Sequence, residues 1–167
     1  MRNRKEKFFG EFSFIVGSPP EPEDDTQRTI NFIRRLKQVN PLSEIILYQY
    51  TPEPVDGDLF ESARAAGFRF PETLEEWVSP RWLEFAQRRG SQLPWLPRSL
   101  SRRIRDFERV LNAYYPTGTD PRLGGTRRIL LRAASAWRYH TGLYAFPLEL
   151  LALGKLLPYR RPETSGF

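Results

Sequence analysis

Phe12-Ser13-Phe14-Ile15-Val16-Gly17-Ser18-Pro19-Pro20 and Glu44-Ile45-Ile46-Leu47-Tyr48-Gln49-Tyr50-Thr51-Pro52 decide the fold. Each is a short run rich in Phe, Ile, Val or Tyr that stops at a breaker. The first begins near residue 8 and is almost continuously apolar over 12–16, which predicts a strand buried on both faces, as in a parallel sheet. The second predicts a strand over 44–50. Between them, residues 26–39 place Ile30, Ile33 and Leu36 at helical spacing, with Thr29 and Phe32 flanking the stripe. Glu21, Glu23, Asp24 and Asp25 precede this stretch and Arg34, Arg35 and Lys37 close it, which suits a helix dipole at both ends. Asn40-Pro41 ends it. Two strands joined by a crossover of helix length form a right-handed βαβ unit with parallel strands. A further helix over 56–66, with Leu59, Phe60 and Ala63 inward, stops at Gly67. Ligands of such units sit at the carboxyl ends of the strands, here loops 17–22 and 51–57.

The rest of the chain reads as helices. Thr73 is a candidate N-cap with Glu76 at the capping-box position. Residues 80–89, with Trp82, Leu83 and Phe85, continue as helix to Gly90. Residues 99–115 put Leu100, Ile104, Phe107 and Leu111 on one face and Arg102, Arg103, Arg105 and Arg109 on the other. Residues 116–125 are loop. Residues 126–143 are helical, with Ile129, Leu130, Ala133 and Trp137 on the side expected to face the core. A short apolar helix over 146–157 opens with Pro147 at its first position. The tail 158–167 is expected to fray.

Composition narrows the chemistry. The 167 residues include no cysteine and one histidine, His140. Disulfides, a thiol nucleophile, thiolate zinc and a cysteine-ligated iron–sulfur cluster are excluded within this chain. Charge is uneven: residues 1–75 carry 10 Lys/Arg against 13 Asp/Glu, and residues 76–167 carry 16 against 7, of which only Lys155 is lysine. No secretory leader is visible and no apolar run approaches the roughly 18 residues of a spanning helix. A cytoplasmic protein is expected.

Two parallel strands do not make a domain, because both outer edges stay open. The pattern therefore predicts an α/β fold that is a partial (β/α) barrel fragment, two parallel strands with a crossover helix over residues 1–75. A mostly α-helical, basic, aromatic-rich extension follows over 76–167. The other arrangement is an α+β domain in which residues 68–167 cover a small sheet.

The stretch from Phe12 through Gly17-Ser18-Pro19-Pro20-Glu21 to Thr26 resembles the fifth strand and following loop of radical S-adenosylmethionine (radical SAM) enzymes. Ile46-Leu47-Tyr48-Gln49-Tyr50-Thr51-Pro52-Glu53-Pro54 resembles their sixth strand. Leu59 to Gly67, Phe70 to Trp77, and Arg138-Tyr139-His140 to Glu149 are similar to the cobalamin-binding branch of that superfamily. The pattern departs in places. Ser13 replaces a glycine, Pro20 and Pro22 stand in the Gly-Glu-Thr triplet, and Val55-Asp56-Gly57 replaces Gly-Thr. The Cys-x₃-Cys-x₂-Cys loop, strands one to four and the cobalamin domain have no counterpart here. The resemblance implies the C-terminal third of such an enzyme, whether from a truncated gene, a split gene or a mis-called start. The partner implied is the missing N-terminal half, and the substrate a small or lipid-like molecule. The cofactors implied are S-adenosylmethionine, a 4Fe–4S cluster whose ligands lie outside this chain, and cobalamin. The intact enzyme would cleave S-adenosylmethionine to a 5′-deoxyadenosyl radical, and this chain alone would be inert. Ile15, Gly17 and Tyr50 inherit the adenine-binding role, with no catalytic or metal residue assigned.

Other candidates carry plainer readings beside the functional ones. Ile15, Gly17 and Tyr50 also suit core, turn and packing positions. Glu21 fits a first-turn acid as well as a substrate contact. Glu53 and Asp56 are either a carboxylate pair at the strand mouth or solvated loop residues. His140 is a ligand or a structural imidazole. Trp77, Trp82, Trp95 and Trp137 with the arginines would stack bases, yet they suit an aromatic core equally, and nucleic acid is not the expected partner. Arg127, Arg128, Arg132 and Arg138 ahead of the apolar stretch 143–157 suggest contact with an anionic membrane surface, and the alternative function is that of a non-catalytic arginine-rich protein that binds RNA or such a surface.

Overall fold

A computed structural model describes residues 10–55, 57–86, 93–116 and 123–156. Its elements are β1 (Glu11–Val16), α1 (Pro22–Val39), β2 (Glu44–Gln49), α2 (Asp58–Ala65), α3 (Leu74–Trp77), α4 (Pro80–Ala86), α5 (Arg98–Tyr114), α6 (Gly125–Thr141) and α7 (Leu148–Leu156). Phe8 and Phe9, Asp56, the end of the helix expected over 80–89, most of loop 116–125 and the tail lie outside the described residues.

β1 and β2 pair in parallel, with Phe12 beside Ile45, Phe14 beside Leu47 and Ile15 beside Tyr48. Among the described residues they form a two-stranded sheet, so each strand has one unpaired edge. α1 is the crossover between them and begins at Pro22, four residues earlier than its apolar stripe suggests. Proline needs no hydrogen-bonded N–H in the first turn, and the acids behind it favour that end of the dipole. Ile30 and Ile33 are buried as expected, whereas Phe32 points outward. Phe12, Phe14 and Val16 face the helices together with Ile45 and Leu47.

Burial of 12–16 on both faces is corrected by this arrangement. The strand alternates, with Ser13 exposed and Ile15 60 % exposed on the face away from α1. α1 and α5 lie on one side of the sheet, so of the β1 side chains only Phe12, Phe14 and Val16 pack against them.

One apolar cluster draws on both halves of the chain. Val16, Ile30, Ile33, Ile45 and Leu47 join Leu93, Leu96, Leu100, Ile104, Phe107, Leu111 and Leu150. α5 buries the predicted stripe of Leu100, Ile104, Phe107 and Leu111. α6 packs along α5, but not through the predicted side. Leu131, Ser135, Arg138 and Tyr139 face inward, while Ile129, Leu130 and Trp137 are exposed. Two polar side chains on the inward side are bonded locally: the Ser135 hydroxyl donates to the Leu131 carbonyl at 2.7 Å, and Arg138 donates to the Ala145 carbonyl at 2.8 Å. Gly142 ends α6 in the left-handed conformation at φ 75°, so the helix stops short of Leu143. α2 starts at Asp58 and buries Ala63, and Leu59 turns outward rather than inward. Thr73 caps α3 by accepting from the Glu76 N–H, as predicted. α3 is a single turn, and a separate α4 follows it. No helix among the described residues is long and apolar enough to cross a membrane.

Candidate functional site: a cleft on the open sheet face

The carboxyl ends of β1 and β2 form the floor of a cleft of about 740 Å³. Ile15, Tyr48 and Tyr50 come from the open sheet face. Glu53, Leu59 and Phe60 come from the loop after β2 and from α2, and form the wall. Strand alternation explains the floor: Ser13 and Ile15 share a face with their register partners Ile46 and Tyr48. The exposed Leu59, which is misplaced as a core residue by helical spacing, completes the apolar wall.

Tyr50 is fixed from both sides. Its hydroxyl donates to the Leu59 carbonyl at 3.2 Å, which ties β2 to α2. Its ring lies 6.0 Å from that of Trp95. Burial raises the Tyr50 pKa, and the neighbouring Glu53 carboxylate pushes it the same way. The phenol therefore stays protonated and keeps donating at neutral pH.

Ile15 and Tyr50 thus meet at one cleft, and Gly17 is not part of its lining. Gly17 has φ +79°, and a Cβ there would sit 2.8 Å from Leu96 Cδ1. Its N–H donates to the Asp25 carboxylate at 2.9 Å, and the Ser18 N–H donates to the same oxygen at 3.1 Å. Its carbonyl accepts from the Trp95 indole at 3.0 Å. Both backbone polar groups of Gly17 are therefore used in holding the loop. Asp25 and Trp95 hold the loop beside the cleft, a role that periodicity did not single out. The one available signal for Asp25 was an acid one turn into a helix that follows a Gly-Ser loop.

The remaining candidates scatter. Glu21 is the exposed N-cap residue of α1 and makes no side-chain cap. Glu53 is exposed in the cleft wall, and Asp56 lies outside the described residues. His140 is exposed on α6, with Nε2 3.0 Å from the Tyr114 hydroxyl. Trp77, Trp82 and Trp95 belong to an aromatic cluster with Phe68 and Phe85, whereas Trp137 stands apart beneath the Arg138 guanidinium.

No family model matches the chain, and neither a curated protein nor a solved structure is significantly similar to it.

The donor set can be compared with the groups the radical SAM resemblance implies. The apolar floor and aromatic wall suit the flat face of an adenine, with Glu53 beside them to meet hydroxyls. The cluster does not fit: the chain has no cysteine, and the described residues contain no group of His, Cys, Asp and Glu placed to hold a metal. Cobalamin finds no ligand in the cleft either, since His140 is not among its lining residues.

Proposed function

We propose that this chain is the C-terminal part, as a fragment or a subunit, of a cytoplasmic radical SAM enzyme of the cobalamin-associated branch. In this reading β1 and β2 are two staves of a (β/α) barrel, α1 is on the outside and the cleft faces the barrel interior. One observation carries it. A parallel βαβ pair leaves part of its inner face open, with Ser13 exposed and Ile15 60 % exposed although Ile46 and Tyr50 on that side are buried, while its outer face is packed. An isolated two-stranded sheet with an apolar open face exposes surface that a closed barrel would bury.

The adenosyl moiety lies on Ile15 and beside Tyr50, and Gly17 acts by shaping the turn that ends β1 rather than by bonding to the ligand. The implied cofactors supply bond cleavage and radical or methyl transfer when bound. The residues of this chain contribute binding and orientation alone. Cluster ligands and the cobalamin site belong to the partner half, whether that is encoded in the same gene or a separate one.

The test is S-adenosylmethionine binding by the assembly that contains the cysteine loop. Ile15→Asp weakens binding there by about tenfold or more, while the melting temperature of the isolated chain stays unchanged because the side chain is exposed in it. Binding unaffected by Ile15→Asp would remove the cleft from the account. The chain alone, given iron and sulfide, develops no absorption near about 400 nm, and a stoichiometric cluster on it would overturn the assignment.

A further inference from the structure

α7 presents an apolar face to solvent. Leu148, Leu151, Ala152 and Leu156 share one side of the helix and are exposed, with Lys155 in their midst. Phe146 extends this face and is 59 % exposed. It is held there at a cost, because its φ of 49° is a left-handed conformation that a bulky side chain rarely adopts. Two buried side chains fix it. The Asp106 carboxylate accepts the Phe146 N–H at 3.0 Å, and Arg138 donates to the Phe146 carbonyl at 3.1 Å. Backbone strain at an exposed aromatic, clamped from below, is the kind of outlier that points to a task.

Two of the arginines that the sequence suggests, Arg132 and Arg138, are engaged within the fold. Arg138 is buried and bound to Glu149 and to the carbonyls of Leu143, Ala145 and Phe146. Arg132 lies over the Tyr114 ring. The neighbouring cations are on α5. Arg98, Arg102 and Arg105 recur on one side of that helix, all exposed, and Arg102 lies 5.4 Å from the centre of the Phe146 ring. No exposed acid opposes them on these two helices: Asp106 and Glu108 of α5 are buried, and Glu149 is tied to Arg138.

We propose that this α5–α7 surface docks on an anionic lipid bilayer. Phe146, Leu148, Leu151 and Leu156 enter the interface, while Arg98, Arg102, Arg105 and Lys155 meet lipid phosphates. Leucines and an aromatic flanked by unopposed cations match the two attractions that such a surface offers, apolar burial and negative potential. This stands independently of the barrel reading.

The test is cosedimentation of the full chain with vesicles of phosphatidylcholine alone or with about one third phosphatidylglycerol. The chain binds the anionic vesicles at about 50 mM salt and releases as salt rises several-fold. Arg102→Ala with Arg105→Ala weakens binding about thirtyfold, and Leu148→Ser with Leu156→Ser weakens it about tenfold or more. All four positions are exposed, so circular dichroism and melting temperature are unchanged. A chain that stays in the supernatant at low salt, or that binds both vesicle types equally, overturns the proposal and gives this face to a protein surface instead.

Discussion

Gly17 joins three parts of the molecule through its backbone: Asp25 of α1 on its N–H, Trp95 on its carbonyl and Leu96 where a side chain would be. Gly17→Ala combines a positive φ with a close approach, and should cost about 1–3 kcal/mol in urea unfolding. Asp25→Ala leaves the Gly17 and Ser18 N–H groups unpaired and should cost about 1–3 kcal/mol. A glycine at a strand end is legible in sequence as a breaker. That its amide needs an acid eight residues on is not, because a first-turn acid is equally well explained by the helix dipole. Lys37 shows the same limit. It reads as a dipole-complementing surface residue, yet it is buried against the carbonyls of Ser43 and Pro41 and beneath the ring of Tyr115. Burial lowers its pKa from 10.5 to about 8, with Glu44 opposing. Between those values the unfolded chain binds more protons, so stability contributed by this group rises with pH. From pH 7 to 9.5 the chain should gain about 2 kcal/mol over Lys37→Met, read from paired urea titrations.

Among the elements, α5 and α6 show where helical periodicity succeeds and fails. α5 has one apolar stripe and one arginine stripe, so only one orientation buries its leucines and leaves Arg102, Arg103 and Arg105 exposed, although Asp106 and Glu108 are buried with the leucines. α6 has apolar residues on two sides. Ile129, Leu130, Ala133 and Trp137 offer as much apolar area as Leu131 and Tyr139, and packing against α5 chose the latter pair. Leu131→Ala should therefore cost about 2–5 kcal/mol and Leu130→Ala within about 0.5 kcal/mol, compared by urea unfolding. The reverse order would restore the side that spacing suggests. Arg138 explains part of the outcome. Its guanidinium gathers Glu149 and three carbonyls of the α6–α7 connection, so the inward side of α6 carries a cation with all its donors occupied. That bonding lowers the pKa of Glu149. Sequence spacing cannot announce such a contact, since the partners lie in an irregular turn.

At the scale of the whole molecule, the βαβ unit was legible because two apolar runs, two breakers and one crossover leave few topologies. The parallel register and the position of the cleft at the carboxyl ends follow from that unit. Ile15 and Tyr50 come together as strand alternation requires, whereas the wall supplied by Leu59 and the clamp of Trp95 depend on helices whose orientation short segments do not specify. The same alternation leaves Ser13 and Ile15 facing away from α1 and α5. A sheet with one packed face, an opposite face left open at Ser13 and Ile15, and two edges unpaired among the described residues is the physical ground for proposing that further barrel strands complete it. The most direct measurement is the DNA sequence on the 5′ side of this reading frame and in the adjoining gene. The account predicts coding sequence for four more βα units with three cysteines spaced Cys-x₃-Cys-x₂-Cys, either in frame or in the neighbour. Flanking DNA that encodes no such cysteines in either place would contradict it.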